Sequence, residues 1–328
     1  MNFFSGKNVL VAGATGFVGS HLTDRLVDLG ANVTGTVHNT NLAIKNPKVK
    51  YLEADLEIAK DCELVTKGIE FVFMCAANSS GAEVMTKTPL VHLTPNVIMN
   101  SQMLAASYAN EVKKFCFISS NTVYPLTDFA VAEKDVTGEF FEKYFIVGWM
   151  KRFSELMCEM YARKINKPMS TLIVRPGNLY GPRDKYKKSE SKVIAALIRR
   201  SFEKENPFEV WGDGEDIKDF LYIDDFIDAL IETFEKSRDF DVFNIASGVP
   251  VTIKEVLKDI IQISENQEIQ VKFDASKPTM IPIRMIDISK IKAEIGWQPK
   301  ISIYDGLKKT YEWYSETYRD LNPEGQKI

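Results

Sequence analysis

The sequence predicts an α/β fold, a doubly wound parallel sheet with a smaller α/β C-terminal lobe. Three observations lead there. Short β-branched and apolar runs alternate with helical patterns through the N-terminal half. Three glycines spaced GxxGxxG join the first such run to the first helical stretch. Beyond residue 177 the pattern loosens, yet no polar linker divides the chain.

In chain order, strands are expected at NVLVAG, NVTGTV, VKYLEAD, FVFMCAA, KFCFISS and STLIVRPG. Between the first two lies SHLTDRLVDLG, whose apolar residues recur every three to four positions, as on one face of a helix. The alternation implies right-handed βαβ units and a parallel sheet covered on both faces. From Asn178 onward come loops, longer helices and short strands such as FEVWG and VKFDA. Residues 1–177 therefore read as a nucleotide-binding core and 178–328 as a second lobe, with the chain able to cross back between them. Asp224 and Asp225, in YIDD, read as a cap for the following helix FIDALIETF. The polar tail after Tyr318 is expected to fray.

Composition narrows the function classes. A chain of 328 residues can bury a substantial core. A net charge of −4 argues against a protein that coats nucleic acid. The longest apolar runs are strand-length and fall short of a membrane span. The start runs straight into a strand, without a signal-peptide layout. Cys62, Cys75, Cys116 and Cys158 are scattered, with no CxxC pair and only three histidines in the chain. Buried thiols, no metal site and a reducing cytoplasm are the expectation.

The stretch GATGFVGSHL carries the first chemistry. Gly13, Gly16 and Gly19 suit a dinucleotide turn: a tight turn after the strand needs glycine, and close backbone approach to a pyrophosphate needs another. Thr15, Phe17 and Val18 complete this turn, and the helix start offers free N–H groups and positive potential. Ends of later strands should border the same ligand: Asp55 and Leu56 in EADL, and Ala76 and Ala77. Asp55 suits an adenine amino group, although it is equally suited to capping the next helix. The second strand ends in Thr36-Val37-His38-Asn39, which has neither the acidic residue of an NAD site nor the arginine of an NADP site. His38 is a cofactor contact by position. The missing arginine tilts the reading to NAD over NADP.

Several segments together resemble the extended short-chain dehydrogenase/reductase family, the NAD-dependent epimerases and dehydratases of nucleotide sugars. They run in order through the chain: GATGFVGSH, EADL, CAA, NVIMNSQ, FISSNTVYP, GWMKRFSE, RPGNLYGP, VWGDGEDIKDFLYIDD, FNIASG and IGWQPKISIYDGL. The segments NLYGP, KVIAALIRR, VKFDASKP and DGLKKTYEWY look most like the GDP-L-fucose synthase group of GDP-sugar enzymes. The resemblance implies a Rossmann half for the cofactor, a lobe for a nucleoside-diphosphate sugar, and a homodimer formed through helices that include the one near Val147.

The resemblance also implies a serine, and a tyrosine and lysine spaced YxxxK, beside the nicotinamide. Ser120 matches the serine, with Thr122 close by, and Lys151 matches the lysine, which in the family lowers the tyrosine's pKa and holds the nicotinamide ribose as a cofactor contact. At the tyrosine position stands Val147, which cannot carry a proton. Tyr144, one turn earlier on roughly the same helical face, is the leading replacement, and becomes a loop residue over the sugar if the helix begins later. Tyr124, Thr122 and Lys151 itself are the other candidates. Thr122 and Lys192 stand where the fucose synthases have their epimerising cysteine and histidine, and threonine is a poor base. The 4,6-dehydratases carry an acidic pair where this chain has Asn121-Thr122. What survives is cofactor-dependent oxidation or reduction at one sugar carbon, C4, or a simple epimerisation through a transient ketone. The alternatives are a dehydratase, or a non-catalytic relative that only binds cofactor and sugar nucleotide.

For the diphosphate, the resemblance points to Asn178, and the basic residues Lys192, Arg199, Arg200, Lys218 and Arg284 add positive charge in the bordering segments. Trp211 is placed to pack on the base, or in the core.

Overall fold

The computed structural model describes residues 2–38, 46–78, 88, 90–188, 190–266, 268–277 and 279–321. All six expected strands form: β1 (Asn8–Ala12), β2 (Asn32–Val37), β3 (Lys50–Glu53), β4 (Phe71–Met74), β5 (Lys114–Ile118) and β6 (Ser170–Pro176). The later chain adds β7 (Asn178–Tyr180), β8 (Phe208–Trp211), β9 (Ile217–Tyr222), β10 (Phe240–Ile245), β11 (Pro250–Thr252) and β12 (Val271–Asp274). One 7-stranded sheet runs β10-β6-β5-β4-β1-β2-β3, with every pairing parallel. The strand order reverses between β1 and β4, so a crevice opens at their carboxyl ends. Its outermost strand, β10, returns from beyond residue 178 and pairs with Thr171 to Pro176.

Strand pleating explains why these runs are apolar throughout. On β1, Val9 and Val11 enter one core while Leu10 and Ala12 enter the other. Phe71 and Phe73 of β4 divide from Val72 and Met74 in the same way. The helices Phe17–Asp28 and Ile223–Lys236 cover the first face, contributing Leu22, Leu26, Phe226, Leu230 and Phe234. The helices Ala59–Thr66, Leu90–Ala109 and Phe145–Arg163 cover the second, contributing Cys62, Val65, Met103, Leu104 and Cys158.

The rest of the chain builds a 3-stranded sheet, β11-β9-β7, and the parallel pair β8 and β12. Asp225 is structural, though not as a cap for its own helix. Tyr222 occupies that cap, and no side chain bonds there. The buried Asp225 carboxylate instead accepts the backbone N–H groups of Lys300 and Ile301, at 2.9 and 2.8 Å. It ties the last helix, Ile303–Leu321, to the lobe. That helix enters the tail expected to fray, of which residues 322–328 lie outside those described. No described helix is long and apolar enough to cross a membrane.

Candidate active site

The glycine turn is fixed by close packing. Gly13 has φ +74°, in the left-handed region that favours glycine, and a Cβ there would lie 2.7 Å from the Ala76 Cα. A Cβ on Gly19 would fall on the Gly13 carbonyl. β1, β4 and the first helix therefore meet where the strand order reverses. Gly16 caps that helix without any side-chain hydrogen bond, and no acidic residue sits in the first turn. Its leading N–H groups stay available to an anion. Thr15, Phe17 and Val18 lie half-buried along this turn.

The neighbouring strand ends converge as expected. Ala76 and Ala77 follow β4, and His38 and Asp55 follow β2 and β3 with the His38 Nε2 4.0 Å from an Asp55 carboxylate oxygen. The other Asp55 oxygen accepts the Glu57 N–H at 3.0 Å, so this residue serves the turn that follows β3. The Leu56 side chain is buried in the core on this face. The Asn78 peptide, just past Ala77, is gripped by one helix. Asn96 accepts its N–H at 2.8 Å, and both Asn96 and His92 hydrogen-bond its carbonyl.

Ser120 follows β5 and opens a short turn in which its Oγ accepts the Thr122 N–H at 3.2 Å. The Thr122 hydroxyl is buried without a partner. Lys151 lies on the helix Phe145–Arg163 and reaches back to the same strand end. Its Nζ donates to the Ile118 carbonyl at 2.8 Å and lies 4.9 Å from the centre of the Phe117 ring. Burial pulls its ammonium down to about 8, and the Glu155 carboxylate only partly offsets this.

Tyr144 does not share the surroundings of Lys151. The helix begins at Phe145, leaving Tyr144 at the cap. Its phenol meets the backbone at Ile281 and the charge of Arg284, while burial raises its pKa. Lys143 beside it donates to the Thr279 carbonyl, so this turn is fastened across to the C-terminal lobe. The helix thus starts after Tyr144, which ends the short turn Glu142–Tyr144 before it. Tyr124 is fully buried. Its hydroxyl donates to Asn244 at 2.6 Å and accepts from Arg175 at 3.0 Å, which removes it from the site.

The expected cations separate into three groups. Arg284 and Lys218 lie together beside Tyr144. Arg284 is 1% exposed, yet only its Nη2 has a partner, the Tyr124 carbonyl at 3.1 Å. Its Nε and Nη1 are buried and unpaired. Lys218 donates to Asp216 at 3.2 Å and to the Ile281 carbonyl. Lys192 stands elsewhere, 5.8 Å from the Phe17 ring and so beside the glycine turn. Arg199 pairs with Glu203 at 2.7 Å and lies 3.7 Å from Glu205, while Arg200 bonds the Glu209 carbonyl. Arg199 and Arg200, expected to face a diphosphate, both have intramolecular partners. Asn178 follows β6, its amide donating to the Asp219 carbonyl at 3.0 Å. Trp211 ends β8 with its indole 41% exposed, available for stacking rather than in the core.

Sequence reading missed a buried network behind Ser120 and Lys151. Glu155, fully buried, accepts from Ser119 at 2.6 Å, from Arg175 at 2.8 and 2.7 Å, and from Arg152 at 3.0 Å. Arg175 further donates to the Glu133 carbonyl at 2.9 Å. The signal was present: an arginine within the apolar strand TLIVRP requires a buried counter-charge.

Comparison with known proteins fits this geometry. The NAD dependent epimerase/dehydratase family matches residues 9–246. GDP-L-fucose synthase 1 of Arabidopsis thaliana is 30% identical over 93% of this chain and 92% of its own. The UDP-glucose 4-epimerase of Thermotoga maritima, solved with UDP-glucose, superposes with a TM-score of 0.84 at 28% identity, covering 94% of this chain and 99% of its own. The UDP-glucuronic acid 4-epimerase of Bacillus cereus, solved with UDP-glucuronic acid and NAD, gives a TM-score of 0.83 at 26% identity, over 95% of this chain and 100% of its own. With the glycine turn, the strand order and the lysine in place, the chain belongs to the NAD dependent epimerase/dehydratase family, and it is an enzyme of that class.

Proposed function

We propose that the protein transfers a hydride at one carbon, C4, of a nucleoside-diphosphate sugar, as an oxidoreductase or as an epimerase that returns the hydride. The observation that carries this reading is Arg284, a buried guanidinium with two unpaired N–H faces. Such a group calls for an anion, and a diphosphate supplies one. Lys218 adds charge beside it, and Asn178, Tyr144 and Trp211 complete the substrate side. A GDP-linked sugar is favoured by likeness to the fucose synthase. A UDP-linked sugar is the second reading, favoured by likeness to the two UDP-sugar epimerases.

Residues of the glycine turn, with Ala76 and Ala77, would hold a nicotinamide dinucleotide, and a glycine cradle that a Cβ would fill fits that group. NAD is favoured over NADP, because Thr36-Val37-His38-Asn39 offers no arginine for a 2′-phosphate. When bound, the cofactor supplies or accepts a hydride. Ser120 orients the sugar hydroxyl or carbonyl by hydrogen bonding, and Lys151 holds positive charge beside it. Lys192 lies between the glycine turn and the lobe, where it can meet either ligand.

The test is a panel of GDP-, UDP-, CDP- and dTDP-sugars with each cofactor, followed by nicotinamide absorbance and by NMR of the sugars. An absorbance change marks net redox, and an altered sugar without one marks internal hydride return. If every sugar emerges unchanged, the chain is a binding relative and the proposal fails.

We further propose a homodimer. Phe145, Trp149, Phe153 and Met160 are 50, 42, 45 and 51% exposed on one helix. At 100° per residue they form a single stripe, which a second copy of the same helix would cover. Trp149→Glu should convert a dimer into a monomer in analytical ultracentrifugation. A monomeric wild type at micromolar concentration would refute the dimer.

A further inference from the structure

We propose that Lys151 is itself the proton carrier of this enzyme, and that Glu155 is the positioning residue that sets how firmly Lys151 holds its proton. The inference rests on the hydride-transfer reading above and assigns the role left open by Val147.

Elimination among the described groups leads to Lys151. Val147 has no proton to give. The Tyr124 phenol is locked between Asn244 and Arg175 in the core. The Tyr144 phenol meets the Ile281 backbone and the Arg284 charge, partners that Lys151 does not share. Ser120 and Thr122 are aliphatic alcohols, suited to hydrogen bonding and not to titration near neutrality. Burial pushes the Cys75 thiol up to about 12. Lys151 remains. Its ammonium has three N–H bonds, one of which is used on the Ile118 carbonyl, so two are left for ligands. Its surroundings disfavour the charge, which brings its proton affinity near neutrality, where general acid–base catalysis is most effective.

The step balances. In reduction of a sugar carbonyl, for which a bound nicotinamide would supply the hydride, the carbonyl oxygen would gain its proton from Lys151. An N–H bond breaks, an O–H bond forms, the electron pair stays on nitrogen, and the neutral amine is reprotonated by water. Oxidation of a sugar alcohol runs the same transfer in reverse.

Glu155 lies one helical turn beyond Lys151, and its charge favours the ammonium. That charge is divided among Arg175, Arg152 and Ser119. Ser119 adjoins Ser120, so one carboxylate steadies both the strand end and the lysine helix. The half-buried Arg152 is the adjustable member: without it, more of the carboxylate's field reaches Lys151.

The experiment is an NMR titration of the full-length protein labelled at lysine Cε, with Lys151→Arg assigning the signal, run beside hydride transfer against pH. Lys151 should titrate near pH 8 in the wild type. Arg152→Gln should raise that midpoint and Glu155→Gln should lower it, each by about one unit. The pH profile of sugar reduction should follow both shifts. If Glu155→Gln does not fold, Arg152→Gln alone decides the charge argument. Lys151→Arg keeps the charge but cannot release its proton, so transfer should fall by about 100-fold or more with cofactor binding retained. Transfer at the wild-type rate in Lys151→Arg, or a midpoint that stays fixed in Arg152→Gln, overturns this inference and leaves the hydride-transfer reading standing. A wild type that transforms no nucleotide sugar overturns both.

Discussion

Replacing Arg284 with methionine should weaken binding of a nucleoside-diphosphate sugar by about 100-fold or more and leave the protein as stable as before, or more so. The two halves of this result have one origin. Arg284 is almost wholly buried, and its Nε and Nη1 lack partners. Burial pulls its guanidinium down to about 10, although Tyr144 and Tyr124 favour the charge. The folded protein thus holds this cation at a cost, and an apolar side chain of similar length relieves it. A bound diphosphate would occupy the two vacant N–H faces, and charge-assisted hydrogen bonds contribute roughly 1.5–3 kcal/mol each. Calorimetric titration with GDP-sugars and UDP-sugars measures the affinity, and thermal melting measures the stability. A residue that merely held the fold would behave in the opposite way, with stability lost and affinity kept. That outcome would remove the diphosphate site from the proposed function.

The parts of the fold that were legible in the sequence were those governed by local spacing. Six strands could be read because a parallel sheet covered on both faces makes each strand apolar throughout, and the glycine turn could be read because a strand, a turn and a helix meet within a few residues. β10 was harder, since its role as the seventh strand depends on the chain crossing back to Ser170–Pro176. The Arg199 partner was in view, because Glu203 is four residues on and helical neighbours at that spacing pair. Tyr144 was ambiguous for a physical reason: the helix starts at Phe145 without a capping side chain, so nothing in the sequence marks its first turn. Asp225 was legible as structural, but its partners lie 75 and 76 residues later. Glu155 and Arg175 were hidden in the same way, since they are 20 residues apart and meet only once the helix packs on β6.

Removing Glu155 should be among the most damaging single changes available to the fold. Glu155→Ala leaves Arg175, which is nearly as buried, without its bidentate carboxylate, and breaking such a pair from one side costs about 3–5 kcal/mol. The Ser119 hydroxyl, bonded to the same carboxylate at 2.6 Å, loses its acceptor as well. Against a typical stability of roughly 5–15 kcal/mol, such a loss is a large share of the total. Urea denaturation followed by circular dichroism should show the midpoint falling sharply. The informative control is Glu155→Leu combined with Arg175→Met, which removes both charges and fills much of the same volume. That pair should be markedly more stable than Glu155→Ala alone, because the damage comes from the stranded guanidinium and not from the absent attraction. If the double variant is instead the weaker protein, the network contributes net stability, and the ordering of Ser119 and the lysine helix is itself a large part of what holds this end of the sheet together.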